Sequence, residues 1–203
     1  MAERPDFSFE EKFPAPVCGV DEAGRGPWAG PVVASAVVLD PDNIPSGLND
    51  SKKLSAARRE MLFDQIIRQA KVGVGIAEVD EIDRLNIGKA TYLAMRRAIL
   101  NLPELPSYAL IDGKYLPPGI PCPAVAIIKG DGRSVSIAAA SIVAKVTRDR
   151  IMVALAQQFP GYGWQNNMGY GVKTHSEALK SLGVTPHHRR SFKPIHNILC
   201  EEN

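Results

Sequence analysis

The sequence predicts an α/β domain in which helices pack around a mixed five-stranded sheet and a helical C-terminal segment leans on it. Three observations lead there. Five short runs rich in β-branched and small apolar residues are bounded by Gly, Pro and Asp. Longer stretches with apolar residues at helical spacing lie between and after them. Beyond Pro160 the chain changes character, to Gly-containing turns, one short helical pattern and basic residues.

Residues 1–16 are Pro-containing and interrupted by charge, and read as a polar tail of low order. Val17 to Glu22 is the first strand, a buried-type run that rises into two adjacent carboxylates. Gly24-Arg25-Gly26-Pro27 then makes a turn, and residues 32–40 are the second strand, ended by Pro41. A loop closes with Asp50-Ser51-Lys52-Lys53-Leu54. Ser55 reads as the N-cap of a helix whose apolar face is Leu62, Phe63, Ile66, Ile67 and Ala70. Val72 to Val79 is a third, glycine-rich strand. One helix is expected over about 80–101, with Leu93, Ala94, Ala98 and Leu102 near one side, stopped by Pro103 and Pro106. Tyr108 to Gly113 is a fourth strand ending in Asp112, and Ala124 to Ile128 a fifth, followed by Lys129-Gly130-Asp131. Ser134 to Phe159 reads as a long helix whose small, apolar first half suits close packing on a sheet. After it comes a short helix near 174–182. The expected divisions are a tail (1–16), an α/β domain (17–159) and a C-terminal helical segment (160–203).

Composition excludes several classes. At 203 residues the chain can bury a sizeable core. Its net charge of +2 provides no global basic field, so nucleic-acid binding would need a local patch. Cys18, Cys122 and Cys200 are far apart in sequence, which argues against a zinc site or a disulfide framework. No apolar run approaches the roughly 18 residues of a membrane helix, and the N-terminus lacks a signal-peptide core. The expected setting is cytoplasmic, with no membrane contact.

The chemistry is signalled by acids at strand ends: Asp21 and Glu22, Asp112, and Asp131. Any one could be merely solvated. If they converge, the electrostatics become informative, because two carboxylates 4 Å apart repel by about 4 kcal/mol at an effective dielectric near 20. Such a cluster is tolerable only with raised pKa values or bound cations, and hard oxygen ligands select Mg²⁺, Mn²⁺ or Ca²⁺. A pair of such ions is a common means of in-line phosphodiester displacement. Successive strand residues face opposite ways, so Asp21 and Glu22 can share a site only where the strand ends or bends. Gly24 and Gly26 permit that bend. Asp50 reads as a loop or helix-start residue. Asp80, Glu81 and Asp83 read as a helical first turn, and Asp149 as a solvated helix face. His175, His187, His188 and His196 lack ligand spacing, and His187-His188-Arg189-Arg190 reads as a basic surface.

Arg25 between two glycines offers backbone N–H groups and a cation beside the acids, suited to a sugar hydroxyl or a phosphate. Lys52, Lys53 and Lys145 are candidate phosphate contacts. Tyr170, between Gly169 and Gly171, could stack on a sugar or base, or could plug a local turn.

These motifs together resemble the bacterial type 2 ribonuclease H family, the ribonucleases HII. The resemblance is carried by Gly19-Val-Asp-Glu-Ala-Gly-Arg-Gly-Pro27, Leu48-Asn-Asp-Ser-Lys-Lys-Leu54, Ile111-Asp-Gly113, Lys129-Gly-Asp131, Ala138 through Asp149, Gly169-Tyr170 and His187 through Phe192. It implies a ribonuclease H-like fold, with Asp21, Glu22, Asp112 and Asp131 as catalytic, metal-binding carboxylates. It implies Mn²⁺ or Mg²⁺, two ions being expected with substrate. It also implies cleavage of RNA in RNA/DNA hybrids, and cutting 5′ to single ribonucleotides in duplex DNA, leaving 3′-hydroxyl and 5′-phosphate ends. Gly24, Arg25 and Gly26 would read the 2′-OH, and Tyr170 would stack on the sugar that follows. The type 3 enzymes' extra N-terminal domain is not expected in sixteen residues, no sliding-clamp peptide is evident at the C-terminus, and a monomer is expected. Two other readings are a non-catalytic binding module of the same fold, opposed by the intact carboxylates, and a DNA exonuclease, opposed by the Gly-Arg-Gly turn.

Overall fold

The computed structural model describes residues 4–201. Five strands form one sheet: β1 (Val17–Ala23), β2 (Val32–Val38), β3 (Lys71–Ala77), β4 (Tyr108–Asp112) and β5 (Ala124–Ile127). Their spatial order is β3-β2-β1-β4-β5. The pairs β1–β2 and β2–β3 are antiparallel, whereas β1–β4 and β4–β5 are parallel, so the sheet is mixed.

Alternation along the strands decides the layers. Cys18, Val20, Ala34, Ala36, Ala109 and Ile111 face α3 (Ile87–Leu100), against Ala94, Met95, Ala98 and Ile99. The opposite face, through Val17, Val37, Leu110 and Ile127, meets α1 (Ala56–Gln69) and α4 (Val135–Gln158). The first half of α4 is buried all round, as its small residues allow. Gly19 of β1 makes its close approach possible, because a Cβ there would overlap the Ser136 carbonyl. The last part of the chain adds α5 (Trp164–Asn167), α6 (Lys173–Leu182) and α7 (Lys193–Glu201). With the far half of α4 they bury their own cluster around Met152, Tyr162, Trp164, Leu179 and Ile195.

Ser55 caps α1 as expected, accepting from Arg58 N at 3.3 Å. Ile67, however, stands 47% exposed rather than on the buried face. The single helix expected over 80–101 is two, α2 (Val79–Leu85) and α3, broken at Asn86. Asn86 takes a φ of 70° and accepts from Gly88 N and Lys89 N, so its short amide both turns the chain and caps the second helix. Helix α7 was not anticipated.

The tail of low order is also corrected over its described part. Glu10 is buried, and its Oε1 accepts from Ser134 Oγ at 2.6 Å and Ser136 N at 2.9 Å, at the start of α4. Phe13 stacks on Tyr108 with ring centroids 3.9 Å apart. Charge interruptions in sequence do not reveal that one of the charges is a buried helix cap. Residues 1–3 lie outside the described residues. Glu10→Ala should therefore cost about 2 kcal/mol, and at this chain length lower the unfolding temperature by roughly 4–8 °C. A thermal melt with no shift would restore the loose tail.

Candidate active site

Parallel pairing places the acids. Val20 of β1 sits beside Ile111 of β4, so the next residues, Asp21 and Asp112, are neighbours at the same end of the sheet. Asp112 pairs in turn with Ile127, the last residue of β5. A 3₁₀ turn (Gly130–Gly132) follows and carries Asp131. The Gly130 N–H donates to Asp112 Oδ1 at 2.7 Å, joining this turn to the end of β4. Strand β1 runs one residue past Glu22, and the bend comes at Gly24, whose φ is 97°. Asp21 is buried, its Oδ1 accepting from Glu22 N at 2.7 Å.

The electrostatics register the convergence. Burial holds the Asp21 carboxyl well above the usual carboxylate range, and the charges of Glu22, Asp112 and Asp131 add to it. Glu22 is raised by burial and by Asp112, against the opposing Arg25 guanidinium 3.4 Å away. Asp131 is raised by burial, by Asp50 and by Asp112, with Lys52 opposing. Burial works to lower the Lys52 ammonium, but Asp21, Asp50, Asp131 and Asp112 together outweigh it and raise it. Asp50, read from sequence as a loop or helix-start residue, does begin a 3₁₀ turn (Ser51–Lys53). It is also a fifth acid facing this cluster, and its signal in the sequence was its place in the Asp-Ser-Lys-Lys motif.

The donor set fits a hard divalent cation: oxygen ligands only, crowded negative charge, and low access to water. Among the described residues no three His, Cys, Asp or Glu side chains stand close enough together to hold a metal ion by themselves. Hard divalent ions take further oxygens from water or phosphate.

Beside the acids is a cavity of about 240 Å³. Glu22, Gly24, Arg25 and Gly26 form one wall, Ser51 and Lys52 another, Ser141 and Lys145 of α4 a third, and Tyr170 closes it. The binding residues expected from sequence, Lys53 apart, thus meet at one cavity, while Asp21, Asp112 and Asp131 lie outside its lining, at the adjoining strand ends. Lys145 Nζ is held 2.8 Å from Asp149 Oδ1, so Asp149 is a partner of the cavity lysine, not a solvated helix face. Ser141 Oγ donates to Ser51 Oγ at 2.7 Å, joining two of these walls.

The expected basic surface at residues 187–190 is also corrected, since His188 and Arg189 are fully buried. Their partners define the tautomers. The Thr185 N–H donates to His188 Nδ1 at 2.9 Å, so the His188 proton is on Nε2, 3.0 Å from His175 Nε2. Trp164 Nε1–H also donates to His175 Nε2, leaving the His175 proton on Nδ1, which donates to the Tyr170 carbonyl at 2.9 Å. A chain of neutral imidazoles therefore anchors the backbone of Tyr170, whose ring stands 46% exposed at the cavity.

Burial, with His175 beside it, pulls His188 down to about 3. Between pH 6.5 and that value the unfolded chain binds a proton that the folded chain refuses, so this group's contribution to stability falls as pH falls. From pH 7 to pH 5 the loss should be about 2 kcal/mol, or roughly 4–8 °C in unfolding temperature. In His188→Asn, less stable at pH 7, thermal melts across that range should show a shallower slope. An unchanged slope would remove His188 as the cause.

The chain is similar to known proteins in both sequence and fold. A family model described as Ribonuclease HII matches residues 18–195. A ribonuclease HII from Jannaschia sp. is 63% identical over 196 residues, covering 97% of this chain and 98% of that protein. One from Ruegeria pomeroyi is 61% identical over 203 residues, covering 98% and 87%. Among solved structures, the ribonuclease H2 from Pyrococcus horikoshii superposes with a TM-score of 0.75 at 29% identity, covering 91% of this chain and 97% of that one. The ribonuclease HII of Archaeoglobus fulgidus, solved as a complex with PCNA, gives 0.75 at 30% identity, covering 87% and 95%.

Proposed function

This chain belongs to the ribonuclease HII family, and from that premise we propose that it hydrolyses the RNA strand of RNA/DNA hybrids and cuts 5′ to single ribonucleotides embedded in duplex DNA. That it is a ribonuclease follows from the family itself. The finer reading rests on one observation. Acids whose charges raise one another gather at the ends of β1, β4 and β5, and one of them, Glu22, lines a cavity whose walls include the Gly24-Arg25-Gly26 turn and Tyr170.

In this reading Asp21, Glu22, Asp112 and Asp131 hold the divalent ions, two Mn²⁺ or Mg²⁺ with substrate. When bound, such ions activate the attacking water and stabilise the departing oxygen, leaving 3′-hydroxyl and 5′-phosphate ends. The chain's own groups do the rest. The turn offers N–H donors to the sugar 2′-OH, the group by which RNA differs from DNA. Lys52 and Lys145 hold phosphate oxygens, Lys145 oriented by Asp149. The Tyr170 ring stacks on the following sugar and favours a deoxyribose there. The role is removal of ribonucleotides from DNA and clearance of RNA primer remnants, by a monomer in the cytoplasm. No helix among the described residues is long and apolar enough to cross a membrane.

The test is a labelled DNA duplex carrying one ribonucleotide, beside an all-DNA duplex, with Mn²⁺, Mg²⁺ or EDTA. One metal-dependent cut 5′ to the ribonucleotide, with the control intact, is the expected result. Cutting of the control would point to a general nuclease, and retained hybrid binding without any cut to a binding module.

A further inference from the structure

Two guanidinium groups are buried at the cavity with no carboxylate in ion-pair contact among the described residues, Arg148 of α4, which lines it, and Arg189 of the C-terminal segment, which does not. Burying an ion costs several kcal/mol, and an apolar side chain of similar volume often serves stability as well or better. What the two arginines touch is therefore informative. Arg148 donates to the carbonyls of Ala29, Pro31 and Met168, each at 3.0 Å. Arg189 donates from Nε to Gly30 at 2.9 Å, from Nη1 to Arg25 at 3.0 Å, and from Nη2 to Gly24 at 2.5 Å and Pro31 at 3.2 Å. Its own backbone is registered against the same loop, since Arg189 N donates to the Trp28 carbonyl and Gly30 N to the His187 carbonyl.

A trans peptide is planar, and its C=O and N–H point in opposite directions. A carbonyl of Gly24 aimed at Arg189 therefore aims the N–H of Arg25 away from it. The carbonyl of Arg25, aimed at the same guanidinium, does the same for the N–H of Gly26. Arg189 does not line the cavity, whereas Gly24, Arg25 and Gly26 do, so the guanidinium lies on the far side of the turn. Neither the Arg25 nor the Gly26 N–H donates to an acceptor among the described residues. Two successive N–H groups facing one way make a concavity for an oxygen ligand.

We propose that Arg189 is a positioning residue for substrate discrimination: by holding the Gly24 and Arg25 carbonyls, it presents the Arg25 and Gly26 N–H groups to the sugar hydroxyl. This deepens the reading that the turn recognises the 2′-OH, and rests on it. Arg189 touches no substrate and acts only through the turn. A lysine in its place keeps the charge but not the fork, and cannot reach four carbonyls in fixed directions.

The experiment uses the full chain in Mn²⁺ buffer. It measures KM and kcat for a DNA duplex with one ribonucleotide, and the inhibition constant of an all-DNA duplex as competitor. For Arg189→Lys, KM should rise at least tenfold while the inhibition constant of all-DNA stays within about twofold. A merely structural role would lower the active fraction, and hence apparent kcat, without moving KM, and that result would overturn the proposal. So would a parallel rise in both constants. If Arg189→Lys does not fold, Phe192→Leu serves instead, since it removes the ring that packs 5.1 Å from the guanidinium and so loosens the fork over its carbonyls. Its KM should rise about threefold, and an unchanged KM overturns the proposal. The underlying reading fails separately, at the wild type, if all-DNA inhibits with a constant equal to the KM of the ribonucleotide duplex.

Discussion

Asp21→Asn should yield a folded protein that is more heat-stable without metal and has lost roughly a thousandfold in turnover. Loss of activity follows because a neutral amide is a poor ligand for a hard cation. The gain in stability follows from burial. Asp21 is buried among like charges, and its carboxyl is held well above the usual range. A carboxylate whose folded pKa is raised favours the folded state only while protonated. Its contribution is complete below the unfolded value and is lost as pH rises through the folded one. At neutral pH the ionised group therefore works against the fold. Removing its charge should raise the unfolding temperature by about 3 °C or more in EDTA at pH 8, with the gain vanishing towards pH 4. This pH trend is opposite in sign to that of His188, so the two are separable by variant. Added Mg²⁺ should stabilise the wild type and not Asp21→Asn. Wild-type turnover in the variant, or a lower unfolding temperature at pH 8, would remove Asp21 from the proposed role.

Gly24→Ala should be the most damaging change of a single methyl group in the cavity wall. The residue has a φ of 97°, where any side chain is strained by about 1–2 kcal/mol. A Cβ there would overlap Nε and Cδ of Arg148 and lie 2.8 Å from the Pro31 carbonyl oxygen. Arg148 is buried and bonded to three carbonyls, so it has no room to yield without stranding its charge. A total cost of about 4 kcal/mol or more, and loss of cleavage, are expected. Gly26→Ala is the contrasting case. Its Cβ would meet only Tyr170 Cε1, at 3.5 Å, so the melt should be almost unchanged. The added methyl would nonetheless stand between the turn and the tyrosine, where the sugar is proposed to lie, and should weaken cutting of the ribonucleotide duplex. Equal melting temperatures for the two variants would show that the turn is more pliable than its contacts imply.

Much of this protein was legible in its residues, because the relevant physics is local. Five apolar runs predicted the five strands to within about two residues at each end, and the Ser55 cap fell where its hydroxyl could meet the free N–H groups of a first turn. The acids at Asp21, Glu22, Asp112 and Asp131 stood out because each ends an apolar run or follows one closely. Convergence was not legible. It depends on β1 lying between β2 and β4 and on a parallel register that places Val20 beside Ile111, and spacing along the chain carries no information about that register.

The errors share a cause. Glu10, His188 and Arg189 were read as solvent-facing because charged and polar residues are mostly exposed. Each instead satisfies groups distant in sequence: Glu10 the start of α4, His188 a chain of imidazoles ending at Tyr170, and Arg189 four carbonyls around the Gly24 turn. Whether a polar side chain is buried depends on whether another part of the chain brings it partners, which only the assembled fold decides. The sequence alone thus determined the strands, the cap, the turn and the residue types of the site. The tertiary structure decided which acids meet, which way the turn's N–H groups point, and which partners the buried arginines and histidines find, because a desolvated polar group is tolerated only where partners from elsewhere replace its water.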